Sequence, residues 1–285
     1  MAYEIDYAYF CHMGHLRRNN EDNYWCCGDM LPEKHDGASV IQTGHTSSGD
    51  SAVLALFDGM GGESCGETAS WLGARACGEE AAVSVDLIRQ DPKRFWPEAC
   101  VRMNHAVCAY AAMHKIRSMG STMAGMAFGE DQITACNLGD SRIYLLEEKG
   151  LRQLSLDHNA GHAFFGKPPL TQYLGLPEQE MLLEPHLEAL PVKEGMTFLL
   201  CSDGLTDMLS DSAICLTLRK NSLSPSRCAS LLLDQALAAG GKDNVTGIIC
   251  RIVPASYTGE RSLPRLLRIY HTLIGRFKAL TDWSN

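Results

Sequence analysis

The feature that most constrains the fold is an apolar run ending in an aspartate and a glycine-rich turn, Val53-Leu54-Ala55-Leu56-Phe57-Asp58-Gly59-Met60-Gly61-Gly62. Five apolar residues in succession leave no face for solvent, which predicts a buried strand. Asp58 is therefore expected on rigid support, and Gly59, which lacks a Cβ, lets the backbone approach a bound group. Taken alone, Asp-Gly after a strand is also a common hairpin turn.

The same arrangement recurs along the chain. A second apolar run ends at Asp203, Asp243 stands just before an apolar run, and Glu21 and Asp22 precede a short aromatic segment. Carboxylates that converge at one edge of a sheet core repel one another, so convergence would require cations. None of these clusters contains histidine or cysteine, and an all-oxygen ligand set suits Mg²⁺ or Mn²⁺ rather than Zn²⁺.

Composition excludes several functional classes. The net charge of −9 over 285 residues argues against a nucleic-acid partner. The 12 cysteines form no Cys-x-x-Cys pair and mostly lie among apolar residues, as free buried thiols do. With no signal peptide and no apolar stretch near the ~20 residues that span a bilayer, the sequence predicts a cytoplasmic protein.

The order of the predicted elements indicates the fold class. A strand over 3–12, a loop over 28–51 and the Val53 strand precede helices over 64–90 and from Pro92 onward. Many short strands follow from Gly120, including a candidate over 181–189, then two helices that begin near 210 and 224 and a last strand over 245–253. Runs of strands joined by tight turns predict antiparallel sheets. Two helix pairs would then cover the outer faces of a two-sheet sandwich.

Seven motifs carry a family resemblance. The chain resembles the metal-dependent serine/threonine protein phosphatases of the 2C type, in their bacterial form, over residues of roughly 3 to 252. A single Asp-Gly has little weight, but seven motifs in the family's order are specific. They are Gly14-x-x-Arg17-x-x-Asn20-Glu21-Asp22, Asp58-Gly59-Met60-Gly61-Gly62, Met119-Gly120-Ser121-Thr122, Gly139-Asp140-Ser141-Arg142, Leu170-Thr171-x-x-Leu174-Gly175, Ser202-Asp203-Gly204-Leu205 and Asp243-Asn244-Val245-Thr246.

The resemblance implies an α+β fold, an α/β/β/α sandwich of two antiparallel sheets flanked by helix pairs, formed by a catalytic domain over 1–253. It also implies two Mn²⁺ or Mg²⁺ ions at one end of the sheets. Asp58 would bridge both ions, Asp203 and Asp243 would complete the first, and Glu21 and the Gly59 carbonyl would bind the second.

The remaining site residues also follow from the resemblance. Arg17 would grip the substrate phosphate in a bidentate contact, and Asp22 and Asn244 would orient metal-bound waters. Hydroxide activated by the two ions would attack phosphoserine or phosphothreonine in proteins without a covalent intermediate. The expected partners are phosphorylated proteins, the substrates of a serine/threonine kinase.

The sequence departs from the family pattern in three places. Met60 stands where some members carry a histidine proposed as general acid, so the proton donor is not identified. Residues 114–119, just before Gly120, contain no aspartate, whereas many members carry one there for a third metal. The segment over 159–180, which forms a flap in the family, is short. These departures leave the third ion and the gating of substrate open.

Two other functional classes compete with an active protein phosphatase. A phosphoprotein-binding pseudophosphatase would be favoured by loss of a metal-binding acid, yet Glu21, Asp58, Asp203 and Asp243 are all present. A related hydrolase of a small phosphorylated molecule would carry the same acids. A thiol nucleophile at Cys201 is disfavoured because that residue lies in an apolar run.

The C-terminal segment 254–285 lies outside the resemblance. It is interpreted as a linker followed by an amphipathic helix from Leu263 to Leu280, with its basic residues mostly opposite the apolar stripe. With so many large apolar residues on one face, the helix is expected to be buried against another surface. The candidates are the protein's own domain or a second copy, a partner protein, and a membrane surface.

Overall fold

The computed structural model describes residues 2–38, 40–50, 52–60, 65–161, 168–177 and 181–255. Twelve strands and six α-helices lie within these ranges. The strands are β1 (Tyr3–His12), β2 (Asp22–Cys26), β3 (Gln42–Ser47), β4 (Val53–Met60), β5 (Gly120–Ser121), β6 (Met123–Phe128), β7 (Gln132–Leu138), β8 (Arg142–Glu147), β9 (Gly150–Gln153), β10 (His186–Pro191), β11 (Thr197–Cys201) and β12 (Val245–Pro254). The helices are α1 (Gly66–Val83), α2 (Val85–Gln90), α3 (Pro92–His114), α4 (Asp203–Thr206), α5 (Asp211–Asn221) and α6 (Pro225–Ala238).

The strands form two antiparallel sheets. One sheet has the order β3-β1-β12-β11-β8-β9, and the other has the order β10-β7-β6-β4-β2, with β5 paired to the end of β4. Every pairing between the named strands is antiparallel. The predicted antiparallel sheets are confirmed.

Three apolar layers hold the sandwich together. The inner faces of the two sheets meet in one core, to which Ile5 and Leu56 belong. The opposite face of β4 packs Phe57 against α1 and α3, and the outer face of the other sheet packs Ile249 against α5 and α6. Successive side chains of a strand point to opposite faces, so the continuous apolar runs of the central strands bury both faces of each sheet. The α/β/β/α architecture is therefore confirmed.

Three local expectations were wrong. The single helix expected over 64–90 is interrupted at Ser84, whose hydroxyl donates to the Glu80 carboxylate at 2.8 Å, so a polar side chain competes locally with the helix. The loop expected over 28–51 contains β3, a polar edge strand whose Gly44 lies against the ring of Tyr7. The strand expected over 181–189 is β10 and begins at His186, because its pairing with β7 starts there.

Among the described residues, no helix combines the length and the hydropathy needed to cross a membrane. The amphipathic segment from Leu263 to Leu280 lies outside the described residues.

Candidate metal centre

A buried and a partly buried carboxylate lie opposite each other at one end of the sandwich. In the pairing of β2 with β4, Asp22 stands opposite Asp58. Leu56 lies two residues before Asp58 and belongs to the core between the sheets, so strand alternation directs Asp58 to the same inner face. The apolar core therefore ends in a pair of acids.

Asp22 receives a hydrogen bond from the opposite sheet. The Ser202 hydroxyl, at the end of β11, donates to Asp22 Oδ2 at 2.9 Å and in turn accepts from the Thr246 backbone N–H at 3.0 Å. Burial raises the pKa of Asp22 to about 7, and the nearby charges of Asp203 and Asp243 act in the same direction. The motifs at 202–205 and 243–246 are thus brought to the motif at 20–22.

The backbone of Asp58 is held by the segment that follows α3. The Asp58 N–H donates to Thr122 Oγ1 at 3.1 Å, while Ser121 Oγ and the Thr122 N–H donate to the Asp58 carbonyl at 3.1 and 2.9 Å. Thr122 Oγ1 also lies 2.7 Å from Ser141 Oγ. The Gly-Ser-Thr and Gly-Asp-Ser-Arg motifs therefore fix the position of this aspartate.

The side chain of Asp58 lies in a concentration of negative charge. Burial raises its pKa well above the usual value, and Asp22, Asp203, Asp243 and Asp140 add to the effect. A partly buried, ionised carboxylate among four others is unfavourable unless cations neutralise it. The donors are all oxygen atoms, so this neighbourhood fits hard divalent cations such as Mn²⁺ and Mg²⁺.

Glu21 and Gly59 lie against the first turn of α1. The Gly59 N–H donates to the Glu21 carbonyl at 3.0 Å. A Cβ on Gly59 would lie 2.1 Å from the Gly66 carbonyl oxygen, and one on Gly66 would lie 2.8 Å from the Glu21 carboxyl carbon. Two glycines thus permit the close approach of β4, α1 and Glu21, and burial raises the pKa of Glu21.

Arg17 reaches the same end of the sandwich. Its guanidinium, with the side chain 48 % exposed, donates to Asp243 Oδ2 at 2.6 Å. That hydrogen bond is the largest cause of a raised Arg17 pKa. The cation therefore lies beside one of the acids, within reach of an anion bound at the surface.

Asn244 holds the loop that carries Arg17. Its side-chain amide donates to the Met13 and Asn19 carbonyls at 2.9 and 3.0 Å, and its Oδ1 accepts from the Glu21 N–H at 2.8 Å. Both amide hydrogens are thus used by the backbone. The geometry gives Asn244 a positioning role, and orientation of waters stays a prediction.

The acidic side chains lie in one region, but in this structure they are not arranged around a single metal position. In the described part of the chain, no group of three or more His, Cys, Asp or Glu side chains has the spacing of a complete metal site. Asp243 is instead turned toward Arg17.

Sequence reasoning missed the place of Asp140. Its motif was given no role in the site, and it forms a turn with Gly139 at φ +95°. Asp140 also acts on the Asp58 pKa, and it lines a cleft of about 150 Å³ together with Asp203 and Asp207. The missed signal was an aspartate inside one of the recognised motifs.

Asp157 makes a contact with a residue fifteen positions earlier in the chain. Arg142 donates to both of its carboxylate oxygens, at 2.7 to 3.1 Å, which ties the segment after β9 to the start of β8. Both residues line the same cleft as Asp140.

Cys201 is fully buried, and burial raises its pKa well above the usual value, so it is no thiolate nucleophile.

Known proteins share this fold and these motifs. Residues 40–239 match the protein phosphatase 2C family. The serine/threonine phosphatase stp of Listeria monocytogenes is 28 % identical over 249 residues, which cover 83 % of this chain and 91 % of that protein. The serine/threonine protein phosphatase PstP of Mycobacterium tuberculosis is 32 % identical over 219 residues, or 72 % of this chain and 41 % of that one.

A solved structure extends the likeness to three dimensions. The crystal structure of the catalytic domain of PstP in complex with two manganese ions superposes with a TM-score of 0.69 at 28 % identity, and covers 89 % of this chain and all of that one. The fold and the acidic end of the sandwich define the class of metal-dependent protein phosphatases. This chain belongs to the protein phosphatase 2C family. The resemblance predicted from the motifs is confirmed.

Proposed function

We propose that this chain is a protein phosphatase that hydrolyses phosphoserine and phosphothreonine esters in proteins and depends on two Mn²⁺ or Mg²⁺ ions. The observation that carries the proposal is that the partly buried Asp58 lies among Asp22, Asp203, Asp243 and Asp140, an excess of negative charge that cations would neutralise. Membership of the protein phosphatase 2C family supports the reaction class.

The proposed metal ligands are those that the family resemblance implies. Asp58 would be the shared ligand, Asp203 and Asp243 would complete one site, and Glu21 and the Gly59 carbonyl would belong to the other. Metal ions held by these residues would supply a water acidic enough to attack as hydroxide at neutral pH. The chain's own contribution is to hold these oxygens on rigid strand ends and to keep Asp58 out of bulk water.

Arg17 positions the substrate. Its guanidinium, once released from Asp243, offers two parallel N–H donors to the equatorial oxygens of the phosphoryl group. The charge on those oxygens is what a phosphoryl-transfer site has to stabilise. Asp22 and Asn244 act through neighbouring residues. Asp22 accepts a hydrogen bond from Ser202, and Asn244 holds the loop that carries Arg17.

The biological setting is also part of the proposal. The substrates are phosphorylated proteins made by a serine/threonine kinase, and the catalytic unit is 1–253. All twelve cysteines are free and most are buried, which suits the reducing cytoplasm of a bacterial cell. A third ion stays an open expectation, and the Asp140 cleft is the place to look for it.

Replacement of Arg17 tests the phosphate contact. Arg17→Ala should lower kcat/KM for a phosphopeptide about ten- to a hundredfold, because a charged bidentate hydrogen bond is worth roughly 1.5–3 kcal/mol. The matched control is Arg18→Ala, which removes the same charge from the neighbouring exposed position. Equal losses in the two variants would mean a general charge effect, and the specific contact would be rejected.

A substrate panel tests the reaction class. Phosphate release from phosphoserine and phosphothreonine peptides is compared with release from sugar phosphates and nucleotides in the presence of Mn²⁺. The proposal expects the phosphopeptides to be hydrolysed with the higher kcat/KM. Preference for a small phosphorylated molecule would support the small-molecule hydrolase, and tight phosphopeptide binding without turnover would support the pseudophosphatase.

A further inference from the structure

A groove lies between α1 and α3 on the outer face of the sandwich. It has a volume of about 600 Å³ and presents Ala76 and Val83 from α1 and Val101 and Ala106 from α3. Val83 is 78 % exposed and Val101 is 56 % exposed. Two large apolar side chains in one concave surface form a site that an apolar partner would cover.

The groove carries charged groups of both signs, because Arg102, which pairs with the buried Glu80, has its side chain 68 % exposed, and Glu79 at the rim pairs with Arg75. Glu80 is 5 % exposed and pairs with Arg102 Nε at 2.7 Å, which fixes the floor between the helices. Glu79 lies at the rim with its side chain 58 % exposed, and its ion pair with Arg75 is long, at 3.7 Å. The rim can therefore accept a basic side chain from outside.

The segment 254–285 has the complementary composition. It carries five basic and two acidic residues, whereas the whole chain has a net charge of −9, so the segment is basic and the domain is acidic. Its apolar residues recur at helical spacing over 263–280 and are Leu263, Leu266, Leu267, Tyr270, Leu273, Ile274, Phe277 and Leu280. A helix of that length measures ~27 Å, which matches the 18 residues of α1.

The exit strand is linked by contacts to the junction of α2 and α3. Pro254 pairs with Tyr3, whose hydroxyl donates to the Gly129 carbonyl at 2.6 Å. Gly129 in turn lies against the backbone of Arg89 and the ring of Pro92, where α2 meets α3. Val83 of the groove stands just before α2, so this junction is separated from it by the single short helix α2.

The linker is long enough for this path. Residues 255–262 span up to ~26 Å when extended. The exit strand is joined to the junction of α2 and α3 through a single side chain, that of Tyr3. A linker of this length therefore allows the apolar stripe to lie along α1 and α3 of the same chain.

We infer that the C-terminal segment 263–280 docks as an amphipathic helix in the groove between α1 and α3 of its own domain. Its leucines cover Val83 and Val101, and a basic side chain pairs with Glu79 at the rim. The groove lies on the outer side of the helices, and the proposed metal ligands are complete by Asp243. The docked helix is therefore an accessory element of the domain, distinct from the site of hydrolysis.

Limited proteolysis of the full chain tests the docking. Trypsin cleaves after Arg265, Arg268, Arg276 and Lys278, and mass spectrometry follows the loss of each site. A docked segment is cut slowly, and Val83→Glu combined with Val101→Glu should accelerate cleavage about tenfold or more, because charged groups then replace the apolar contact. The matched control is Leu216→Glu, a change at a 54 % exposed leucine on α5, which should leave the rate unchanged.

Variants in the segment itself keep the test independent of domain folding. Leu266→Glu with Leu273→Glu changes two residues of the apolar stripe and should accelerate cleavage as the groove variant does. Thr272→Glu introduces a charge beside the stripe and should have little effect. Rapid cleavage of the wild-type segment, or equal acceleration by the control variants, would overturn the inference.

Two further outcomes point to other occupants and also overturn it. Protection that depends on protein concentration, with a dimer in sedimentation velocity, would place the segment on a second copy. Protection that appears only with vesicles containing anionic phosphatidylserine would place it on a membrane surface. In the docked state, truncation after Val253 should leave kcat/KM within about twofold of the full chain, and a folded truncated protein that binds Mn²⁺ without activity would show that the segment belongs to the catalytic unit.

Discussion

Removal of divalent cations with excess chelator is expected to abolish phosphate release from phosphopeptides, and Mn²⁺ is expected to restore it. No side chain of the proposed mechanism supplies the nucleophile, so without the ions there is no hydroxide at neutral pH. Oxygen-only ligands bind Mg²⁺ and Mn²⁺ labilely, which makes the loss reversible. The measurement is single-turnover and steady-state phosphate release before chelation, after chelation and after addition of excess Mn²⁺. Undiminished hydrolysis in excess chelator would rule out the metal-dependent mechanism.

The same experiment has a readout in stability. The pKa of Asp22 is about 7 in the folded chain against an ordinary value of 3.8, and that of Asp58 is also raised. The folded state therefore keeps protons that the unfolded chain releases, and the metal-free protein loses stability as the pH rises from about 4 through 7. Differential scanning fluorimetry should show a larger Mn²⁺-induced rise in Tm at pH 8 than at pH 6. A metal-independent Tm at both values would contradict the buried cation site.

Asp58→Asn is expected to reduce kcat/KM by about a thousandfold or more. Loss of a single preorganised electrostatic contact costs roughly 10²–10³ in rate, and this change touches the ligand proposed to be shared by both ions. Asparagine has nearly the same shape, so the backbone contacts of Asp58 with Thr122 and Ser121 remain available. The measurement is kcat/KM with saturating Mn²⁺, with metal binding followed by calorimetry.

Stability separates this prediction from simple misfolding. Asp58→Asn removes a buried charge from a group of like charges, so in chelator its Tm should equal or exceed that of the wild type, while its gain from Mn²⁺ should shrink. The control is Asp234→Asn on the exposed side of α6, which makes the same chemical change away from the site and should alter neither quantity. A folded Asp58→Asn protein with near-normal turnover would refute the shared-ligand role.

Local sequence patterns were sufficient where the physics is local. The apolar run before Asp58, the capping Ser210 and Ser224, and the Asp91-Pro92 start of α3 each depend on a few neighbouring residues, and the structure has the expected elements there. The break at Ser84 and the edge strand β3 were not evident, since a side-chain hydrogen bond and a partner strand decided them. Pairing partners distant in sequence override local preference.

The sequence by itself determined the family, the sandwich and the oxygen chemistry of the candidate site, because the seven motifs and the order of apolar runs and turns can be recognised directly along the chain. Only the tertiary structure decided that Asp22 stands opposite Asp58, that Ser121 and Thr122 hold the Asp58 backbone, and that Asp140 belongs to the same acidic neighbourhood. It also showed Arg17 on Asp243 and the groove between α1 and α3. The physical reason is that register, burial and the summed field of several carboxylates arise between segments far apart in sequence, where no local pattern records them.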